Sequence, residues 1–323
     1  MAGDGGRSGS LTEPLAITVA LGAGLCGAVQ PEVNADLAVE LHSSLLAAMV
    51  NFLVALAAAL VVVSRRPGTR RHLRSVATWP VPWWTYLAGL GGVVVVLSGV
   101  ITIERLGVAV FSVAFFSGQM TGGLIVDGVG LAPGTPRPIT RRRVAAVALA
   151  LVAVVVTQIG QPLGDLAPGL VAFVVGAGAG SALQSVCNAR ITFTLGDAMA
   201  ATLVNVVVGT TCLVAIAGTG ALAGAIDAPT WPTQPWLYAG GLLGVTIVLS
   251  LASASAAIGV LRTTLAMLAA QLVGAFVVDW VARDDAPTLG VLCGAGLTVA
   301  AVLLVNRGAR WSPQPHAAAP RAP

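Results

Sequence analysis

Ten long apolar runs, separated by short polar segments, follow one another along the chain. Each run has close to the twenty residues that a helix needs to cross the hydrocarbon core of a bilayer. Because backbone N–H and C=O groups in lipid must be bonded within their own segment, these runs predict membrane-spanning helices. The predicted spans are 15–36, 44–64, 83–103, 106–126, 143–160, 168–190, 198–218, 235–255, 258–280 and 287–306.

The second half of the chain repeats the first. When Gly22 is aligned with Gly176, eleven of the thirty residues up to Asn51 and Asn205 are identical. Further along, the offset falls by two, and Trp84 aligns with Trp236. The amides that recur at matched positions are Gln30 with Gln184, Asn34 with Asn188, Asn51 with Asn205, and Gln119 with Gln271. Amides that recur inside apolar runs indicate an internal duplication, which is the usual construction of a secondary transporter.

Composition supports an all-α, polytopic transmembrane bundle. The chain is 56% hydrophobic and 9% charged, whereas soluble domains carry about 25% charged residues. A transmembrane barrel would instead have alternating strands of about ten residues. The predicted divisions are a disordered tail at 1–12, five-helix repeats at 13–160 and 161–307, and a second disordered tail at 308–323.

The basic residues predict the orientation in the membrane. A net charge of +4 could suggest a nucleic-acid partner, but the arginines cluster at the ends of spans. With the amino terminus inside, fifteen arginines face the cytoplasm and two, Arg105 and Arg283, face outside. Both termini are therefore expected in the cytoplasm, with membrane lipid and not nucleic acid as a partner. Because five spans is an odd number, the two halves are expected to be inverted relative to each other.

The recurring amides are the candidate binding groups. Gln30 and Asn34 are four residues apart and lie on one helix face, as do Gln184 and Asn188. Polar side chains in a span are costly unless they have partners. We expect the amides of both halves to meet at a cavity and bind a polar solute through hydrogen bonds. The alternative is that each amide only ties its helix to a neighbour.

Glu32 has no counterpart in the repeat, because Val186 occupies the matched position. A carboxylate in a medium of low dielectric has a raised pKa and can take up and release a proton, which would suit proton coupling. The alternative is an ordinary carboxylate at the outer end of the first span, with Pro31 loosening the helix. Asp127 and Asp279 end matched spans and are expected to cap or anchor helix ends.

Signatures of enzymes are absent from the sequence: it contains no HExxH, GxSxG or P-loop motif. Neither a catalytic residue nor a cofactor nor a metal site is predicted. The four cysteines lie in apolar runs without the spacing of a metal site. Because no ATP-hydrolysing part is recognised, any pumping is expected to use an ion gradient or the gradient of the solute.

Several segments resemble the YdcZ family of the drug/metabolite transporter superfamily. They are GAGAGSALQSVCNARITFTLGDAMAATLVNVVVG at 176–209, PWWTYLAGLGG at 82–92 and GQMTGGLIVDGVG at 118–130. The resemblance implies a fused pair of five-span units that exchanges or exports small metabolites across the bacterial inner membrane. Glu32 and Pro31 depart from the apolar residues usual in that turn. Glu32 is similar in place to the first-span carboxylate of the small multidrug exporters.

Three functions remain open on the sequence alone. The leading prediction is a secondary transporter of small molecules that works by alternating access. A flippase for lipids or lipid-linked sugars would need a positively lined path, and the spans offer little charge. A structural or sensory membrane subunit would not need amides duplicated in both halves. The solute, the direction of transport, the coupling ion and whether the chain forms a homodimer stay open.

Overall fold

The computed structural model describes residues 12–131, 139–157, 159, 167–224, 229–258, 260–283 and 288–306. Ten α-helices and no strand lie within these residues. They are α1 (Glu13–Glu40), α2 (Ser44–Ser64), α3 (Pro67–Arg74), α4 (Ala88–Gly128), α5 (Arg141–Thr157), α6 (Pro168–Leu195), α7 (Ala198–Leu222), α8 (Gly240–Ile258), α9 (Val260–Arg283) and α10 (Leu289–Asn306). The predicted tails lie outside the described residues, apart from Thr12.

Helix α4 is a hairpin of two membrane-length arms, which turns at Gly107. The backbone of Gly107 has φ 72° and ψ 162°, a conformation that L side chains rarely adopt. Val95 and Gln119 line the same cavity, although a straight helix would hold them about 36 Å apart. The chain therefore folds back at Gly107, into a first arm at 88–106 and a second arm at 108–128.

Length and composition agree with membrane insertion. Five helical segments are long and apolar enough to cross a bilayer, the third being the 46-residue stretch Trp83–Gly128 that includes the hairpin. Shorter apolar helices follow at Gly240–Leu251, Ala266–Val281 and Leu289–Ala301. With α4 counted as two arms and α3 left aside, the helices correspond to the ten predicted spans. The predicted all-α polytopic bundle is confirmed.

The alternative in which Pro31 loosens the end of the first span is wrong. Helix α1 continues to Glu40, and it therefore keeps Glu32 within a regular helix. The polar segment 64–80 contains α3 and a short 3-10 helix, Val76–Thr78. The indole N–H of Trp79 donates to the carbonyl of His72 at 3.0 Å and closes this segment on itself.

The two halves run in opposite directions through the bundle. Helices α2 and α7 are the matched second helices of the two halves, and they pack side by side. Val63, late in α2, packs with Met199, early in α7. Thr210, further along α7, donates its hydroxyl to the carbonyl of Phe52, which precedes Val63 in α2, at 3.3 Å. Two matched helices that pack antiparallel make the repeat inverted.

Close contacts between the halves occur at matched glycines. A Cβ on Gly24 of α1 would collide with the carbonyl of Met267 on α9, and a Cβ on the matched Gly178 of α6 would collide with that of Phe115 on α4. Small residues at such points allow helix backbones to approach where lipid gives no hydrophobic drive. Helix α1 thus packs mainly on the second half, against α8 and α9, and α6 packs on the first, against α4.

Asp279 fixes the turn of α4 from the other half of the chain. Its two carboxylate oxygens accept hydrogen bonds from the backbone N–H groups of Val108 and Ala109, both at 2.8 Å. A carboxylate at this place satisfies N–H groups that the second arm cannot bond internally and complements the helix dipole. The expectation that Asp279 caps a helix end is confirmed. Asp127, its counterpart, forms an ion pair with Arg143 at the start of α5.

Candidate functional site

Two neighbouring cavities lie between the halves. The first, the α1 cavity, has a volume of about 190 Å³ and lies between α1, both arms of α4, α8 and α9. The second, the central cavity, has a volume of about 240 Å³ and is lined by α1, α2, the first arm of α4, α6, α7 and α8. Both are lined by Gln30, Val95, Val96 and Ile247. Gln30 is thus the polar residue at which the two cavities meet.

Matched residues of both halves line the central cavity. Asn51 and Asn205 lie on its wall, as do Gly92 and Gly244. A site that receives the same position from each half lies at the interface of the two repeats. The α1 cavity also contains a matched pair, Gln119 and Gln271, but it takes its remaining polar groups from α1 alone.

The structure brings seven of the eight predicted amides to these cavities. Gln30, Asn34, Gln119 and Gln271 line the α1 cavity, and Gln30, Asn51, Gln184 and Asn205 line the central cavity. Asn188 lines neither of the two. Its side-chain oxygen accepts a hydrogen bond from Nδ2 of Asn205 at 3.3 Å, so Asn188 holds a residue of the central cavity in place.

Some of the amides also tie helices together. Nε2 of Gln30 donates to the carbonyl of Gly240 on α8 at 3.0 Å, and Nε2 of Gln271 donates to the carbonyl of Gly27 on α1 at 3.3 Å. The side-chain oxygens of Gln271, Asn34 and Asn51 are buried and accept no hydrogen bond. Buried polar atoms without partners are uncommon in native structures. Of the four such atoms among the described residues, three belong to these amides and the fourth is the hydroxyl oxygen of Ser112.

Three aromatic side chains contribute to the apolar lining of the α1 cavity. The rings of Phe111 and Phe115 are stacked with centroids 5.8 Å apart, and Phe116 meets Phe115 edge to face. All three line the cavity. Sequence reasoning did not single them out, although Phe111, Phe115 and Gln119 are spaced by four residues and so lie on one helix face. That spacing was the available signal.

Glu32 is buried, with 8% of its surface exposed. This burial does not fit the alternative of an exposed carboxylate at the end of the first span. Glu32 lines neither the α1 cavity nor the central cavity. Its assignment as a proton carrier stays a prediction.

On the side that the arginine distribution predicts to be cytoplasmic, a polar contact joins α3 to α7. Nδ1 of His72 lies 3.2 Å from the carboxylate of Asp197, which also caps α7 by accepting from the backbone N–H groups of Met199 and Ala200. Burial acts to raise the pKa of Asp197. Hydrogen bonds from the side chains of Thr69 and His72 and from the two backbone groups outweigh it and hold the pKa below its usual range.

The pattern of one protein family matches both halves of the chain. The family is described as "Putative inner membrane exporter, YdcZ", and it matches residues 15–156 and again residues 169–304. The chain belongs to the YdcZ family. The two matches place one YdcZ unit in each half, as the internal repeat predicts.

Similar proteins agree with this two-unit YdcZ construction. The inner membrane protein YdcZ of Escherichia coli (strain K12) is 32% identical over 146 residues, which are 93% of that protein and 42% of this chain. Nearly the whole relative thus corresponds to less than half of this YdcZ chain. A crystal structure of a protein without a functional description superposes with a TM-score of 0.54 at 17% identity, over 90% of this chain and 96% of that chain. At this identity the likeness concerns the fold alone.

Proposed function

We propose that this YdcZ protein is a secondary transporter that carries small metabolites across the inner membrane by alternating access. The observation that carries the proposal is the central cavity, to which both halves contribute matched amides, Asn51 and Asn205. In transporters built from inverted repeats, substrate sites lie at the interface of the repeats, and one repeat rocks against the other. Membership of a family of inner membrane exporters supports the same function.

The lining of the cavities limits the solute. Among the residues that the structure describes on the walls of the two cavities, there is no Asp, Glu, Lys or Arg. A strongly charged solute would lose its hydration without a partner of opposite charge. Amides that donate and accept hydrogen bonds, next to stacked phenyl rings, suit a small molecule that combines an apolar part with one or two hydrogen-bonding groups. Such a composition is typical of small-molecule sites.

Uptake of a metabolite library into everted membrane vesicles, with and without a proton gradient, tests the proposal. We expect accumulation of at least one solute of the stated kind. Movement of labelled lipid between the leaflets without uptake of any solute would favour a flippase instead. The absence of both activities would favour a structural or sensory subunit.

Gln184 offers the sharpest test of the binding residues. Gln184→Leu removes only hydrogen-bonding groups from the central cavity, so we expect loss of transport with an unchanged amount of protein in the membrane. Ser185→Ala, at the exposed neighbouring position, is the matched control and is expected to transport normally. If Gln184→Leu instead fails to accumulate in the membrane, the amide serves helix packing and not the solute.

Glu32 is the proposed proton carrier of the cycle. Glu32→Gln keeps size and polarity but cannot release a proton. We expect this variant to lose accumulation driven by a proton gradient and to keep solute exchange, which needs no net movement of protons. Undiminished proton-driven accumulation would remove Glu32 from the coupling mechanism.

The proposed orientation places both termini in the cytoplasm, on the strength of the fifteen-to-two division of arginines. Reporter fusions after Arg71 and after Arg310 are expected to read inside. An outside reading at either position would contradict the arrangement of ten spans.

A further inference from the structure

Matched amides of the two halves differ in their hydrogen bonds. Asn205 donates to Asn188 at 3.3 Å. The matched residues Asn51 and Asn34 form no such bond: they are 5% and 3% exposed, and the oxygen of each has no partner. The same polar pair is thus closed in the second half and open in the first.

The glutamines differ in the same manner. Gln30 is bonded to the carbonyl of Gly240, whereas its counterpart Gln184 forms no bond to the matched carbonyl of Ala88. Gln271 is bonded to the carbonyl of Gly27, whereas its counterpart Gln119 forms none to the matched carbonyl of Ser181. In each matched set of described residues, one half makes the bond and the other does not.

One difference in sequence explains part of this asymmetry. Gly240 of α8 corresponds to Ala88 of α4. A Cβ on Gly240 would collide with the side-chain oxygen of Asn34 and come within 2.9 Å of that of Asn51. The missing Cβ therefore lets Asn34 turn toward the α8 backbone. In the other half the methyl group of Ala88 occupies the matched place, and Asn188 pairs with Asn205.

In an inverted repeat, a difference in conformation between the two halves can distinguish two states of the protein. When two inverted halves occupy two different conformations, exchanging these conformations produces the state that opens to the opposite side of the membrane. We propose that the three amide sets exchange their hydrogen bonds between the halves during the cycle. In the opposite state Asn51 bonds Asn34, the side chain of Gln184 bonds the carbonyl of Ala88 and that of Gln119 bonds the carbonyl of Ser181, while the present bonds break. Asn188 then separates from Asn205 without taking the place of Asn34, because the methyl group of Ala88 occupies it. The amides thereby act as positioning residues that define each state, an inference that rests on the proposed alternating access.

The orphaned oxygens of Asn34 and Asn51 fit such an exchange. Leaving a buried acceptor without a donor is unfavourable, and it persists where the rest of the structure compensates. In the present state this unfavourable term falls on Asn34 and Asn51, and in the opposite state it falls on the matched pair Asn188 and Asn205. The two states therefore stay close in free energy. Any group that differs between them then shifts their populations.

Two matched variants test the exchange because they must act in opposite directions. Asn205→Ala removes a bond of the present state, and Asn51→Ala removes a bond of the opposite state. In a background without the native cysteines, spin labels at Leu15 and Phe193 report one end of the bundle, and labels at Val39 and Gly169, the matched pair, report the other. Electron–electron distance distributions then give the ratio of the two states.

We expect Asn205→Ala to shift this ratio about two- to tenfold toward the opposite state, the effect of one hydrogen bond. Asn51→Ala is expected to shift it by a similar factor toward the state described here. Gly240→Ala should act like Asn205→Ala, because the added methyl group turns Asn34 toward Asn51. Shifts of Asn205→Ala and Asn51→Ala in the same direction, or an unchanged ratio in Asn205→Ala, would overturn the proposal.

The distance measurement needs no solute, which separates this inference from the proposed function. Opposite shifts without transport of any metabolite would leave the two-state exchange standing and remove the transporter. Transport of a metabolite together with shifts in the same direction would support the transporter and overturn the two-state exchange.

Discussion

The two halves of the protein agree in the backbone contacts of their helices and differ in the hydrogen bonds of their polar side chains. At the glycines the halves agree: Gly89 meets the backbone of Asn205 and Gly209 on α7, and the matched Gly241 meets that of Asn51 and Ala55 on α2. At the amides the halves differ, as the asparagine pair shows. The symmetry of this protein is therefore a symmetry of helix packing. Departures from it lie at the amides, most of which line the cavities, and the proposed exchange of hydrogen bonds would take place there.

Substitutions of the glycines at the helix contacts are expected to have the largest effect on stability. Gly178→Val places a branched side chain against the carbonyl of Phe115, and Gly24→Val does the same at the matched contact. Overpacking costs about 1–3 kcal/mol and more where backbone must move. We expect both variants to lose most of the folded protein in the membrane, measured by yield and by thermal unfolding in detergent.

Gly176→Ala is the matched control, because a Cβ at Gly176 meets no atom within 4 Å. It lies two residues from Gly178 on the same helix and should fold normally. Equal losses for Gly176→Ala and Gly178→Val would show that the helix, and not its contact with α4, is the sensitive element.

The two aspartates that end matched spans should differ in importance. Asp279→Ala leaves the buried N–H groups of Val108 and Ala109 without their acceptor. Each unsatisfied buried group costs about 1–3 kcal/mol. Asp127→Ala breaks one ion pair with Arg143 and should cost less. Unfolding temperatures of the two variants under the same conditions check the order, and a larger loss in Asp127→Ala would contradict the capping role.

Substitutions of the two matched asparagines should differ in their effect on the stability of the protein as well as on the ratio of the two proposed states. Asn205→Ala loses a hydrogen bond that is present and should destabilise the protein by about 1 kcal/mol. Asn51→Ala removes an oxygen that has no partner, so we expect little loss or a small gain. Thermal unfolding of both variants in one detergent makes the comparison, and equal losses would mean that the two positions are equivalent after all.

The smallest expected effect concerns two matched helix caps. Ser43 caps α2, with its hydroxyl accepting from the N–H of Leu46 at 3.2 Å, and Asp197 caps α7. Because the pKa of Asp197 is lowered in the folded state, its contribution is complete above the unfolded pKa of about 3.9 and is lost as the pH falls through the folded value.

Asp197→Ser gives α7 the cap that α2 already has, and a hydroxyl does not titrate in this range. Between pH 6 and pH 3 we expect the unfolding temperature of the native protein to fall more than that of Asp197→Ser. The difference corresponds to roughly 0.3–1 kcal/mol, the usual contribution of a negative charge at a helix N-terminus. Parallel pH curves for the two proteins would mean that the carboxylate contributes nothing through its charge.

The sequence was sufficient to predict the helices of the ten spans and the inverted repeat. The length of each apolar run and the recurrence of the amides can be read directly from the chain. The sequence could not reveal that α4 is held from the other half by Asp279, since that contact joins residues about 170 positions apart. The presence of Pro31 predicted a loosened helix, but packing kept α1 regular to Glu40.

The candidate site was predictable in its residues but not in its asymmetry. Recurrence selected the eight amides, of which seven reach a cavity wall. Matched positions in a sequence carry no information on which half makes a hydrogen bond in a given state. Ala88 differs from the matched Gly240 by one methyl group. The sequence alone does not show that a Cβ at Gly240 would collide with the side chain of Asn34.

Solute exchange by the purified protein tests the central claim most directly. The protein is reconstituted in liposomes that are loaded with one metabolite at a time, and uptake of the labelled form is followed without any ion gradient. We predict exchange of at least one small solute by the native protein and by Gly176→Ala. The same exchange should be lost in Gln30→Leu and in Gln184→Leu, which alter the place where the two cavities meet and its counterpart. Full exchange in both glutamine variants, or none by the native protein across the library, would contradict a solute site between the halves.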